Sequence, residues 1–206
     1  MAISLMTVGQ KITAAILNSI INVVNQTALN GIIPTSVAGT GVTVSPNGLV
    51  TFTNASSVSL NGVFSGSYDN YRVTWNSSTR TASVSTGFQL RAAGTNLSSA
   101  TYDYVKGLDS GTTRSVTSSS SNTNFPIDHG VAAGQTSNGV MDIFSPAATT
   151  AATGTIQASV LASSACYSTQ VSFANEATAS YDGFTLSVSS GTFSGVIRVY
   201  GYNNLT

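Results

Sequence analysis

The sequence predicts a mainly β chain, an antiparallel β-sandwich or jelly roll preceded by a short N-terminal α-helix. Three observations lead there. A long series of short segments after Gly39 alternates apolar and polar residues with period two, as half-buried strands do. Spacers rich in Gly, Ser, Asn and Pro separate these segments. Helical periodicity is confined to the first thirty or so residues, which leaves no crossover helices for a parallel sheet.

The helix comes first in the chain. Thr13 is placed to cap it, it runs through Gln26, and Gly31 and Pro34 end it. Ile16, Ile20 and Val23 follow a four-three spacing, which Leu17, Ile21 and Val24 repeat one residue along. The apolar face is therefore wide, and no charge after Lys11 solvates any side of the helix. A helix of about 14 residues is about 20 Å long and marginal alone in water. These six residues are expected to dock or oligomerise, and Ile at both seam positions favours three strands in a parallel coiled coil. The chain thus divides into a docking helix with its linker, residues 1–35, and a β-sandwich domain, residues 36–206.

Within the second part, Val42–Val44 and Leu49–Thr53 flank Ser45-Pro-Asn-Gly48 and read as a hairpin. Val58–Leu60, Tyr71–Trp75 and Phe88–Ala92 follow as strands, then Tyr102–Val105, Val140–Phe144 and Ile156–Leu161. Tyr167–Phe173, Phe184–Val188 and Val196–Tyr202 complete the series. Three stretches, 110–124, 130–139 and 145–154, are built of small polar residues and read as exposed connections.

Composition narrows the function. Charged residues make up 7% of the 206, seven cations balance seven acids, and Ser plus Thr come to roughly three in ten. Nucleic-acid binding and polybasic membrane contact need clustered Lys and Arg, so both are excluded from the expectation. No segment approaches the ~20 apolar residues of a membrane span, and Met1-Ala-Ile-Ser-Leu-Met6 lacks the basic start of a leader. Membrane insertion is not expected, and the chain is expected to begin at or near Met1. Asn-X-Ser/Thr triplets at Asn25, Asn54, Asn76, Asn96 and Asn204 follow from the composition alone. A neutral, hydroxyl-rich surface has little repulsion to keep copies apart, which favours assembly.

No catalytic, cofactor-binding or metal-binding set is expected. One His and one Cys are too few for ligand clusters, and the acids are scattered. Asp128 and His129 are adjacent but lack a third ligand, and Cys166 has no cation nearby and reads as a half-buried structural thiol. Gly39-Thr-Gly41 precedes a strand instead of a helix, so nucleotide use is unsupported. Arg72, Arg91 and Arg198 lie in strand-like runs and are expected to cover edges or pair with acids. Tyr-Asp recurs at positions 68–69, 102–103 and 181–182. A ring beside a carboxylate could stack on and hydrogen-bond a sugar, and Tyr102 with Asp103 is the richest case. The competing reading packs each ring and lets each carboxylate cap local backbone.

Three stretches resemble tailed-bacteriophage virion proteins. Val8-Gly-Gln-Lys-Ile-Thr-Ala-Ala-Ile-Leu-Asn18 resembles the opening of that loose group, although Ile16 stands where the group usually carries Asp. Leu60–Val73 with Leu90-Arg-Ala-Ala-Gly94 is similar to its β-rich body, and Gly195–Tyr202 to its closing strand. The resemblance implies a non-enzymatic structural protein of the virion, usually trimeric, of minor tail, tail-fibre or capsid-decoration type. Its location would be the virion, with the host cytoplasm before assembly. Its partners would be copies of itself, other virion proteins of tail or capsid, and host-surface carbohydrate. A tail-associated adhesion protein is the leading expectation. A head fibre or decoration protein that reinforces the capsid is the alternative, and a polysaccharide-cleaving enzyme would need two carboxylates about 5–10 Å apart.

Overall fold

The computed structural model describes residues 29–110, 112–130, 133–162 and 165–202. The expected helix, with Ile16, Leu17, Ile20, Ile21, Val23 and Val24, lies outside the described residues. The described chain forms strands β1 (Asn30–Ile32), β2 (Ser36–Ala38), β3 (Thr43–Val44), β4 (Val50–Ala55), β5 (Ser57–Asn61), β6 (Asn70–Arg80), β7 (Thr86–Ala92) and β8 (Thr95–Asn96). They continue as β9 (Tyr102–Ser110), β10 (Thr113–Asn122), β11 (Phe125–Pro126), β12 (Thr136–Phe144), β13 (Ala152–Ala162), β14 (Ala165–Asn175), β15 (Gly183–Val188) and β16 (Phe193–Gly201).

Every pairing among the described residues is antiparallel. The larger sheet runs β10-β9-β14-β13-β12-β6-β16-β4-β3 with β1 beside β16, and the smaller runs β11-β7-β15-β5-β2 with β8 beside β7. The expected sandwich is therefore present. Its centre is a nested ribbon: β4 pairs β16, β5 pairs β15, β6 pairs β12 and β7 pairs β11. Folding that ribbon over brings β16 beside β6 and β15 beside β7, which is the double Greek-key wrapping of a jelly roll. Two hairpins interrupt the ribbon. β9–β10 leaves it between β7 and β11, and β13–β14 between β12 and β15. They pair with each other through β14 and β9 and widen the larger sheet alone.

Alternation decides which side chains fill the core. Along β6, Tyr71, Val73, Trp75 and Ser77 are buried, with Arg72, Thr74 and Asn76 between them facing outward, and Arg80 is buried at the strand's end. Between the sheets Phe88 lies 5.2 Å from Phe184 and 5.0 Å from Phe125, and Phe125 stacks on Phe173 at 4.2 Å. Two glycines make room for rings on the neighbouring strand. Trp75 lies over Gly139, its partner in register, and Phe173 over Gly154. The predicted hairpin is β3–β4, closed by Gly48 donating to the Ser45 carbonyl at 2.9 Å with φ of +80° at Gly48.

Three expectations change. The stretches 110–124, 130–139 and 145–154 are not loops throughout: Thr113–Asn122 forms β10, exposed on both faces except at Ser119 and Asn122, which are partly covered, while 136–139 belong to β12 with Ser137 buried and 152–154 to β13 with Ala152 buried. The linker assigned to residues 1–35 includes β1, which is hydrogen-bonded to β16. Cys166 is exposed, near the start of β14 and opposite exposed Leu161 in register.

Gly139→Ala is expected to lower stability by about 1–3 kcal/mol, because a methyl group there overlaps the Trp75 ring and over-packed cores cost that much. Urea unfolding measures the loss. The emission of Trp75, the chain's single Trp, should shift as the ring is displaced, and an unchanged midpoint with unchanged emission contradicts the packing described.

Candidate binding face

Tyr102 and Asp103 are neighbours in β9 and so point to opposite faces of the sheet. Tyr102 is inside, 0% exposed, with its ring 5.6 Å from Phe125 and its hydroxyl accepting the Leu90 N–H at 2.7 Å. Burial pushes its phenol up, against the Leu90 bond. The ring thus offers no face to a ligand, which corrects the sugar-stacking expectation for this residue. Asp103 points outward and accepts the Ser121 N–H at 2.9 Å. The other Tyr-Asp pair that ends a loop behaves likewise: Tyr181 is buried and donates to Asn175 Oδ1 at 3.1 Å, while Asp182 accepts the Ala93 N–H at 3.2 Å. The packing-and-capping alternative describes both pairs.

Asp128 is committed to structure. It is fully buried in an ion pair with Arg80 at 2.5 Å and also accepts from the Thr86 N–H at 2.8 Å and the Ser137 hydroxyl at 2.9 Å. His129 is half-buried with its ring 5.3 Å from Tyr167, and burial, then the charge of Lys106, lowers its pKa against the pull of Asp128. Among the described residues no group of three His, Cys, Asp or Glu is placed to hold a metal. Arg91 turns its guanidinium to neutral acceptors: Asn61 Oδ1 at 2.9 Å, Thr185 Oγ1 at 3.0 Å, Ser59 Oγ at 3.2 Å, and the Asn96 side chain and Gly94 carbonyl.

The outward face of the larger sheet is where polar groups converge. Register sets Asp142 opposite Arg72 on one side and Thr155 on the other, with Ser172 next in the row. The adjacent row is Thr74, Val140, Gln157 and Gln170, and the next is Asn76, Asn138, Ser159 and Ser168. These rows line hollows of about 440 and 370 Å³ that share Val140, Gln157 and Gln170 and so form one trough across β12, β13 and β14. Through Ser172 the trough continues into a hollow of about 520 Å³ at β9 and β10, on whose wall Asp103 stands.

One end of the trough is rigid. Arg72 grips Asp142 with Nε on Oδ1 and Nη2 on Oδ2, both at 2.7 Å, and the Tyr202 hydroxyl donates to Oδ1 at 2.5 Å. The guanidinium also lies 5.4 Å from the centre of the Tyr202 ring. Burial works against the charged Asp142, yet the bonds from Arg72 and Tyr202 and the charge of Arg72 outweigh it and hold the carboxyl below its usual range. Burial, followed by the bond to Asp142, pushes the Tyr202 phenol up to about 12. The expectation that Arg72 pairs with an acid holds. The trough residues themselves were missed, and their only signal was polar residues at alternate positions of predicted strands.

No protein-family profile matches the chain, and no curated protein matches it in sequence. A solved structure, domain 4 of AbnA, a GH43 extracellular arabinanase from Geobacillus stearothermophilus, in complex with arabinotriose, is similar over 84% of this chain and 81% of that one. The identity is 12% and the TM-score 0.31, and a likeness at that level carries no argument about function.

A carboxyl depressed in the folded state contributes stability above its unfolded pKa and loses it as pH falls through the folded value. The urea midpoint of the wild type is expected to exceed that of Asp142→Asn at pH 7, the difference closing below about pH 4. A difference that stays constant down to pH 2 would remove Asp142 ionisation from the account.

Proposed function

We propose that this chain is a structural component of a tailed-phage virion, a trimeric, non-enzymatic surface appendage that docks through residues 1–35 and presents its β-sandwich to the host surface. The reading rests on the resemblance of both ends and the middle of the chain to such proteins. The observation that carries the adhesive part is the trough: a broad outward face on the widened sheet whose two ion pairs, Arg72 with Asp142 and Arg114 with Asp109, each match a cation with an acid. Within the described sandwich the resembling stretches are β5 with β6, the end of β7 and the central strand β16, so the likeness lies in strands that build the body. A position at the tail is the leading form. Capsid decoration is the second, and copy number per particle separates them, because hundreds of copies fit a head and not a tail tip.

Sedimentation equilibrium of the intact protein is expected to give three times the 21.0 kDa chain mass. A stable monomer at micromolar concentration overturns the trimer. Ile20→Asp is expected to abolish trimer formation and incorporation into particles by burying an unpaired charge, while far-UV circular dichroism of the β body is unchanged. Normal incorporation of that variant would mean that the helix is not the docking element.

A further inference from the structure

We infer that the trough on the outward face of the larger sheet binds a neutral oligosaccharide chain laid across β12, β13 and β14. This deepens the adhesive reading above and rests on it.

The chemistry of the lining selects the ligand class. Asn138, Thr155, Gln157, Ser159, Gln170 and Ser172 are exposed there and present amides and hydroxyls, each able to donate and to accept. Gln157 and Gln170 are partners in register, so two primary amides stand side by side at the centre, the Gln170 oxygen accepting from Arg114 at 3.3 Å and its NH2 facing the trough's polar row. Paired amides suit vicinal hydroxyl groups, which also donate and accept.

Other occupants fit worse. The backbone groups of β13 are spent on β12 and β14, so no peptide strand adds to this surface. Half-buried Val140 in the central hollows and exposed Val105 in the continuation are the apolar side chains presented, too few for an amphipathic helix. An anionic polymer gains little, since Arg72 already holds Asp142 through two hydrogen bonds and Arg114, the cation beside Gln170, has Asp109 at 3.7 Å. That triad instead forms a fixed end wall, with the Tyr202 ring held by its hydroxyl bond to Asp142. The three strands span about 10 Å across the chain direction, and the continuation over β14 to β10 doubles it, which suits a linear chain of several rings.

Affinity electrophoresis of the full-length protein through gels containing dextran, galactomannan, xylan, arabinan or polygalacturonate tests the inference. At least one neutral polymer is expected to retard the wild type, polygalacturonate less. The double substitution Gln157→Ala with Gln170→Ala is expected to weaken that binding about tenfold, the loss of two or so hydrogen bonds, with an unchanged urea midpoint because both side chains are exposed. Retardation by no neutral polymer, stronger retardation by polygalacturonate, or equal binding by the folded variant each overturns the inference. Particle assembly keeps the two readings apart. A wild-type protein that binds neutral glycan but is absent from particles sinks the virion reading alone. A folded double variant that binds no glycan and also fails to incorporate marks this face as an assembly contact, and sinks the trough.

Discussion

The stacking of Phe173 on Phe125 at 4.2 Å is the contact on which the widened sheet depends. Phe125 belongs to the smaller sheet and Phe173 to β14, one of four strands added outside the jelly-roll ribbon. Of those added strands, β13 and β14 bury their inner faces through Ile156, Ala158, Val160, Thr169 and Val171. β10, the outermost, has both faces largely in solvent. Phe173, with Ile156 and Val171 on the same face, gives the addition its share of the core, and a stacked aromatic pair is worth about 0.5–1.5 kcal/mol beyond its burial. Gly154 is required by the same contact, because its missing side chain is the space the Phe173 ring occupies. The inner face of β13 and β14 is pinned in this way, and their outer face carries the trough.

A chain with 7% charge has few ions to place, and this one spends several of them inside. Arg80 and Asp128 are buried together, joining β6 to the segment after β11, and Thr86 and Ser137 satisfy the remaining carboxylate valences. Removing charge from water costs several kcal/mol per ion, and hydrogen bonds offset that here: Arg80 also donates to the Val84 carbonyl and the Thr86 hydroxyl, and only its Nε is without a partner among the described residues. For Arg91 the offset comes from neutral oxygens of β5, β8 and β15 and of the turn at Ala93 and Gly94, whose φ values of 48° and 77° suit a two-residue hairpin. The consequence is an outside in which Ser, Thr, Asn and Gln occupy the positions that Lys and Glu usually fill. Neutrality of the surface and order in the interior are thus one allocation of the same few charges.

The strands that alternate were legible in the sequence, from the β3–β4 hairpin to β16, because one face of each meets a core and the other meets water. β10 was not, since Thr113–Asn122 is solvated on both sides and its residues carry no period. β1, β2, β8 and β11 have two or three residues each, too few for a period to register. Cys166 was read as half-buried because no cation lies near it in the sequence, whereas it is exposed near the start of β14. The trough was invisible for a different reason. Gln157 and Gln170 lie thirteen positions apart, and only the turn between β13 and β14 sets them side by side. Alternation named their face but not their neighbours.

The Tyr102-Asp103 pair shows how a motif that looks like a ligand site can be fully explained by the sheet. β10 is the one long outer strand among the described residues; β3 at the other end of the same sheet has two residues, and β2 and β11 close the smaller sheet with three and two. A long free edge invites pairing with other chains. Here it is broken between Ser119 and Asn122, where the register with β9 shifts and Ser121 takes a φ of 56°. Asp103 holds that irregularity by accepting the Ser121 N–H, and the Asn122 side chain adds a bond to the Tyr102 carbonyl at 3.2 Å. The ring of Tyr102 anchors the same point to Leu90 of the smaller sheet. One dipeptide therefore ties the added strands to the core with its ring and kinks their exposed edge with its carboxylate. On the outward face Gln157 and the NH2 of Gln170, whose oxygen accepts from Arg114, are left to contact whatever the protein meets.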